Sequence, residues 1–395
     1  MRISKFMVAL ASTALLVVAC SSSATPVPSV APSVAPSVAP SVAPSVAPSV
    51  APTPAPTPVP SPEPSPSPVA AFKACQVSDT GGIDDKGFNA NAWKGMQDAA
   101  AALGVEVKFL ESKAEGDYAR NLQQFIDENC NMIVTVGFLL GDATAEFAKA
   151  NPLTEFAIVD YAYDPKIQNV SGLIFQTDEA AMLAGYLAAG MSKSGKIGTF
   201  GGINIPPVTI FMNGLAAGIN YYNQEKGTKV ELLGWDPTAA EGKGDGTFTG
   251  DFSDKDKGKQ VTLSFIQEGA DIIVPVAGPV GLGAAAAVQE NKANGVMLIG
   301  VDTDQYVTAP EYGDVTLTSI LKRIDNAVSG AIKSAYDNTF MGGVANNTLA
   351  NEGVGLAPYH DFESAVPADL TAAIDALKAK IISGEVKVSD YLAPK

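Results

Sequence analysis

The stretch Val77-Ser-Asp-Thr-Gly-Gly-Ile-Asp-Asp-Lys-Gly-Phe-Asn89, followed by Trp93 and Gly95, decides the fold. The apolar run from Ala74 to Val77 reads as a strand. It breaks at Asp79 and two glycines, and a helical pattern takes over near Asp84 or Asp85. Strand, tight loop and helix N-terminus in succession are how an open α/β sheet presents groups to a ligand. Between Asp79 and Asn89 the loop gathers three carboxylates, an aromatic ring and a side-chain amide. That set suits a neutral, ring-bearing small molecule that forms hydrogen bonds.

The same alternation continues along the chain. Strands are expected at 74–78, 106–110, 132–136, 155–159, 170–175, 196–200, 229–233, 272–276, 296–301 and 315–320. Helical patterns lie between them: Trp93, Met96, Ala100 and Leu103 share one face, as do Leu122, Phe125 and Ile126, and Met182, Leu183, Tyr186 and Leu187. Repeated strand–helix units predict an α/β architecture of doubly wound parallel sheets. The low charged fraction of 17% suits strands covered on both faces. Residues 71–395 are long enough for two lobes, each with its own core.

The first seventy residues carry a different message. Arg2 and Lys5 precede an apolar segment from Phe6 to Ala19, about the length of a secretory signal core and shorter than the ~18 residues of a membrane span. Its end, Leu16-Val-Val-Ala-Cys20, resembles a bacterial lipobox, which implies cleavage before Cys20 and lipid attachment there; an ordinary secretory signal with an incidental cysteine is the alternative. Residues 1–19 are thus expected to be a signal peptide. From 20 to 70 follows a tether in which Ser-Val-Ala-Pro repeats from Ser29 to Pro52 and Thr-Pro and Ser-Pro units continue to Pro68. Proline at this density fixes φ and removes amide donors, so an extended spacer of about 3.1 Å per residue is expected. The folded part is placed on the extracytoplasmic face of a cell membrane, held there by its lipid only.

Net charge of −16 argues against nucleic acid and against anionic lipid surfaces as partners. Beyond Cys20 the only cysteines are Cys75 and Cys130, at the starts of the first and third expected strands. In a sheet of order 2-1-3 those strands are neighbours, so a disulfide is expected in an oxidising compartment. Two cysteines and the lone His360 make no metal site, and no cofactor is expected.

Several pieces together resemble the basic membrane protein family of bacterial substrate-binding lipoproteins, of the purine nucleoside receptor A type. They are Ser78 to Gly95, Thr135-Val-Gly-Phe-Leu-Leu-Gly-Asp-Ala143, Phe156-Ala-Ile-Val-Asp160, Gly201 to Gly214, Gly269-Ala-Asp-Ile-Ile-Val-Pro-Val-Ala-Gly278, Gly300-Val-Asp302 and Thr318-Ser-Ile-Leu-Lys322. The first is long and specific; the rest are weak singly, and the whole covers most of 72–395 in order. The resemblance implies a type I periplasmic-binding-protein fold, two α/β lobes with a multi-crossing hinge and ligand enclosed between them. The lobes would run 71–177 (N-lobe) and 178–312 (C-lobe), with a return to the N-lobe over 313–345 and completion of the C-lobe over 346–395. It also implies an ABC transporter permease as partner and a nucleoside, most simply a purine, as ligand.

On that resemblance Phe88 and Phe211 stack on the two faces of a base, although either ring also suits a core. Asp79 and Asn89 read the base edge; Asp79 has helix capping as its alternative, for which Asp84 and Asp85 are better placed. Asp160 closes its strand on the same edge. Asp302 accepts from the vicinal hydroxyls of ribose, Gly278 lets backbone approach the sugar, and Lys322 donates to ribose oxygens or forms an ion pair. Gly137 and Asp142 line the floor, and Trp93 belongs to the core.

Other readings stay open. Gly281-Leu-Gly-Ala-Ala-Ala286, with Asp302 about twenty residues on, imitates a dinucleotide fingerprint and an NAD-linked enzyme. The aspartates could serve a nucleoside hydrolase, and the fold also suits receptors for sugars or signalling molecules. The acidic run from Asp245 to Gly258 lacks the ordered spacing of a calcium loop and reads as a solvated surface loop.

Overall fold

Two six-stranded sheets organise the computed structural model, which describes residues 71–394. The expected signal peptide, the lipidation at Cys20 and the tether lie outside the described residues. In the first lobe the strands are β1 (Lys73–Ser78), β2 (Glu106–Leu110), β3 (Met132–Val136), β4 (Glu155–Val159) and β5 (Val170–Phe175). The helices α1 (Phe88–Leu103), α2 (Tyr118–Asp127) and α3 (Gly141–Ala150) connect the first four of them. The second lobe opens with α4 (Thr177–Met191), β6 (Lys196–Gly201), α5 (Pro206–Lys226) and β7 (Glu231–Leu233). A small antiparallel pair follows, β8 (Trp235–Asp236) and β9 (Asp245–Gly246), with the short α6 (Ala239–Gly242) between its strands. Then come α7 (Lys255–Gln267), β10 (Ile272–Val276), α8 (Val280–Glu290), β11 (Met297–Asp302), α9 (Gln305–Thr308) and β12 (Thr316–Lys322). The chain ends with α10 (Ile324–Tyr336), β13 (Gly343–Asn347), β14 (Val354–Leu356) and α11 (Ala368–Ser383).

The first sheet has the order β13-β5-β4-β3-β1-β2 and is parallel throughout. The second, β14-β12-β11-β10-β6-β7, is parallel except at β14. The central strands β3 (MIVTV) and β10 (IIVPV) are buried at every residue. Strands buried along their whole length form where helices cover both faces of a sheet. Pro275 lacks an amide to donate, and the β10–β11 ladder runs only through Ile272 and Ile273.

Each sheet winds outward in both directions from its first strand, so the order reverses between β1 and β3 and again between β6 and β10. Loops that leave strand ends at such reversals diverge and open a crevice. Cys75 and Cys130 are disulfide-bonded at the N-terminal side of the first sheet, 6.1 Å apart at Cα.

The chain crosses between lobes at 176, at 323 and between β13 and β14. The return to the first lobe therefore begins after Lys322, not at 313, because β12 pairs with β11 in the second sheet. The first helix also starts later than the sequence pattern suggested, at Phe88 rather than near Asp84. The strands β13 and β14, unexpected from the sequence, are short edges that hold little apolar surface.

Candidate ligand-binding cleft

The carboxyl ends of the two sheets face a common cavity of about 600 Å³, open solvent at its mouth included. Asp79, Phe88, Asn89, Gly137, Asp160, Phe211, Gly278, Asp302 and Lys322 all line it. The sequence-derived residues are thus brought together from eight separate loops, helices and strands by topology. Asp142, by contrast, lies exposed in the first turn of α3 and is absent from the wall. Trp93 packs edge-on against Phe109, 5.0 Å between ring centres, in keeping with a packing role.

Asp85 performs the capping. Its carboxylate accepts from the amides of Gly87, Asn89 and Ala90 at 2.9, 2.7 and 2.9 Å, which satisfies donors in the first turn of α1. Asp79 is thereby released from that task. It follows β1 directly, and its Oδ1 accepts from Asn89 Nδ2 at 2.8 Å and from the Gly81 amide at 3.2 Å. Burial, the largest influence, raises the Asp79 carboxyl above its ordinary range, against the lowering effect of those two donors. Gly137 turns with φ of +121°, and a Cβ there would lie 2.5 Å from Asp79 Oδ2, so this position tolerates only glycine without displacing the carboxylate.

Phe88 opens α1 in the first lobe, whereas Phe211 sits one turn into α5, which Pro206 begins in the second. The two rings therefore reach the cavity from opposite lobes. Lys322, at the end of β12 and almost fully buried, brings its ammonium within reach of both rings, 4.9 Å from the Phe88 ring centre and 5.6 Å from that of Phe211. Phe175 approaches the same ammonium at 5.2 Å. Lys322 pairs with Asp160 at 2.5 Å across the lobes, not with Asp302. Buried charge of this kind persists because partner and ring faces replace lost water.

Asp302 has no such partner. It ends β11 with φ of +70°, is 6% exposed, and among the described residues no hydrogen bond reaches its carboxylate. Burial pushes its pKa up to about 6; Lys322 opposes this, while Asp160 and Asp79 add to it. Further bridges join the lobes nearby. Asn91 Nδ2 donates to the Lys322 carbonyl at 2.8 Å, and the Thr303 and Thr308 hydroxyls both donate to the Lys86 carbonyl at 2.9 Å.

Sequence reasoning missed Phe252, which also lines the cavity. It lies within the acidic run read as a solvated loop. Residues 247–250 instead bond back to Gly201 and Gly202, which carries Phe252 inward. The neighbouring acids serve the loop itself: Asp251 accepts from Lys257 Nζ at 2.5 Å, and Asp254 caps α7. The second glycine of the dinucleotide-like motif, Gly283, has a packing cause. A Cβ on Gly283 would lie 1.9 Å from the Lys255 carbonyl oxygen, so the motif permits close approach of α7 and α8. His360 bonds to Asp304 at 2.8 Å and stacks on Tyr306. Among the described residues no group of histidine, cysteine and carboxylate side chains is placed to hold a metal ion.

Comparison with known proteins agrees with this architecture. Residues 72–243 and 245–391 match the family model described as ABC transporter substrate-binding protein PnrA-like. The CD4+ T-cell-stimulating antigen of Listeria monocytogenes is 32% identical over 81% of this chain and 88% of its own length. The ABC transporter nucleoside-binding protein BmpA of Lactococcus lactis is 30% identical over 80% of this chain and 88% of its own. A crystal structure of an ABC transporter solute-binding protein from Aeropyrum pernix superposes with a TM-score of 0.72 at 29% identity, covering 80% of this chain and 92% of that one. Two doubly wound lobes, three crossings between them and a cavity at both strand-order reversals are the type I periplasmic-binding-protein fold, and this chain belongs to the family of PnrA-like ABC transporter substrate-binding proteins.

Proposed function

We propose that this protein captures a nucleoside, with a purine base, outside the cytoplasm and delivers it to the permease of an ABC importer while anchored by lipid on Cys20. The observation that carries the reading is the pairing of two phenyl rings from opposite lobes with an unpartnered buried carboxylate, Asp302, in one cavity. A flat base between Phe88 and Phe211 gains stacking, and vicinal hydroxyls of ribose supply the donors that Asp302 lacks. Asp79 and Asn89 meet the base edge from the first lobe, with Gly137 and Asp160 behind them. Gly278 and Lys322 flank the sugar.

The name of the Lactococcus relative supports a nucleoside, and the lipobox-like Leu16-Val-Val-Ala-Cys20 supports the anchor. Binding rather than turnover is the mechanism. Ligand bridges groups from both lobes only when they are closed, so it shifts the population towards the closed form. Thermal unfolding with nucleosides, free bases, ribose and other sugars tests this, since a ligand above its Kd raises the unfolding temperature by mass action. A shift with nucleosides, smaller with bases and absent with ribose, is expected. A shift with a sugar alone would keep the fold and overturn the ligand.

A further inference from the structure

Asp79 and Asn89 divide their polar atoms unequally. Asp79 Oδ1 receives two donors, Asn89 Nδ2 at 2.8 Å and the Gly81 amide at 3.2 Å. Its Oδ2 receives none; Gly137 packs so closely on that oxygen that a Cβ there would lie at 2.5 Å, and Asp79 is part of the cavity wall. Asn89 spends its amide nitrogen on Asp79, and its own Oδ1 is buried without a partner. Both residues line the cavity, 8% and 1% exposed.

The free atom of Asn89 is therefore an acceptor. The free atom of Asp79 is an acceptor when ionised and a donor when protonated. A proton on this carboxyl belongs on Oδ2, because two N–H groups already point at Oδ1. Purines fall into two classes at the matching position. A 6-oxopurine such as hypoxanthine carries a hydrogen on N1, whereas N1 of a 6-aminopurine such as adenine is a bare acceptor.

Resting on the nucleoside reading above, we propose that Asp79 accommodates both classes by changing its own protonation. Ionised, its Oδ2 accepts from N1–H of a 6-oxopurine. With one proton taken from solvent, the neutral carboxyl donates through Oδ2 to N1 of a 6-aminopurine, and Asn89 Oδ1 accepts from the exocyclic amine. Adenosine then binds with uptake of one proton more than inosine.

The surroundings favour this exchange. Burial and the charge of Asp160 both raise the Asp79 carboxyl, so protonation is accessible. The other titratable or charged groups facing it are Asp85 at the start of α1, Tyr118 on α2, Asp302 on β11 and Lys322 on β12. Lys322, which lines the same cavity, is held by Asp160. Asp302 would meet the ribose, which both nucleosides share, so its titration cancels in a comparison of the two.

Calorimetric titration of the protein with inosine and with adenosine, each in buffers of different ionisation enthalpy, counts the protons. The expected result is a difference of about one proton between the ligands at neutral pH. The ratio of adenosine to inosine affinity should rise as pH falls, by up to about tenfold per pH unit across the titration of Asp79. Asp79→Asn, which cannot take up or release a proton, should remove the difference. Equal proton counts with a flat affinity ratio would overturn the proposal and leave nucleoside binding standing. Absence of binding by both ligands would overturn nucleoside binding and the proposal together.

Discussion

Asp160 and Asp302 stand at equivalent places, after the fourth strand along each sheet, with nearly the same left-handed backbone, φ +68° and +70°. Only Asp160 has a cation. Two buried carboxylates near one lysine leave one charge uncompensated, and that residue is Asp302, whose pKa is pushed up to about 6.

Asp302→Asn should therefore separate binding from stability. Loss of a charged acceptor costs about 1.5–3 kcal/mol, so ribonucleoside affinity should fall roughly 10- to 150-fold while free bases lose little. Equal losses for both would remove Asp302 from the ribose site. The unliganded variant should be more stable near neutral pH by about 3 kcal/mol, because a carboxyl whose folded pKa exceeds its unfolded value destabilises the fold once ionised. That destabilisation fades as pH falls from about 6 towards the unfolded value. Ligand donors favour the ionised form, so inosine affinity should weaken as pH drops below about 6, as calorimetry across pH would reveal.

Lys322→Met keeps the aliphatic stem but strands Asp160 in the interior. Removing one partner of a buried pair costs about 3–5 kcal/mol, and chemical denaturation should show a loss of that order. Adding Asp160→Asn to the same chain should restore part of it. If the double variant is no more stable than the single one, the pair is not the source of the effect.

Phe88→Ala and Phe211→Ala should each lower purine nucleoside affinity by about 1–3 kcal/mol, with little dependence on which purine is used. Phe88, partly exposed at a helix start, should cost little stability. Phe211 is 2% exposed, and its loss should also destabilise by about 3–5 kcal/mol. Unchanged nucleoside affinity in a folded Phe88→Ala protein would refute stacking on that ring.

The disulfide closes a loop with a sequence separation of 55 residues. Chain entropy assigns such a closure about 4 kcal/mol of stability. Replacing Cys75 and Cys130 together by alanine should lower the unfolding midpoint accordingly. Ligand specificity should be unchanged, since neither cysteine is in the cavity wall.

The strands were legible because parallel, doubly covered strands must be apolar at every position, as Ile272–Val276 is. The loop after β1 was legible because its glycines and aspartates have few other uses. The edge strand Gly343–Asn347 carries no such signal: its backbone is held by β5, while Val344 is 53% exposed. The sheet that claims β12 depends on where the chain crosses, which no local pattern encodes. Phe252 was hidden by its acidic neighbours, whose charges serve turns and a helix cap rather than solvent alone.

The three crossings make each lobe a composite of distant segments. The first sheet is incomplete without Gly343–Asn347, and α10 packs against α1 although more than two hundred residues separate them. A nick in one connecting segment would leave two others to keep the halves tethered. Neither half can be released as a continuous fragment, and during synthesis the first must wait for the second to emerge before it can be finished.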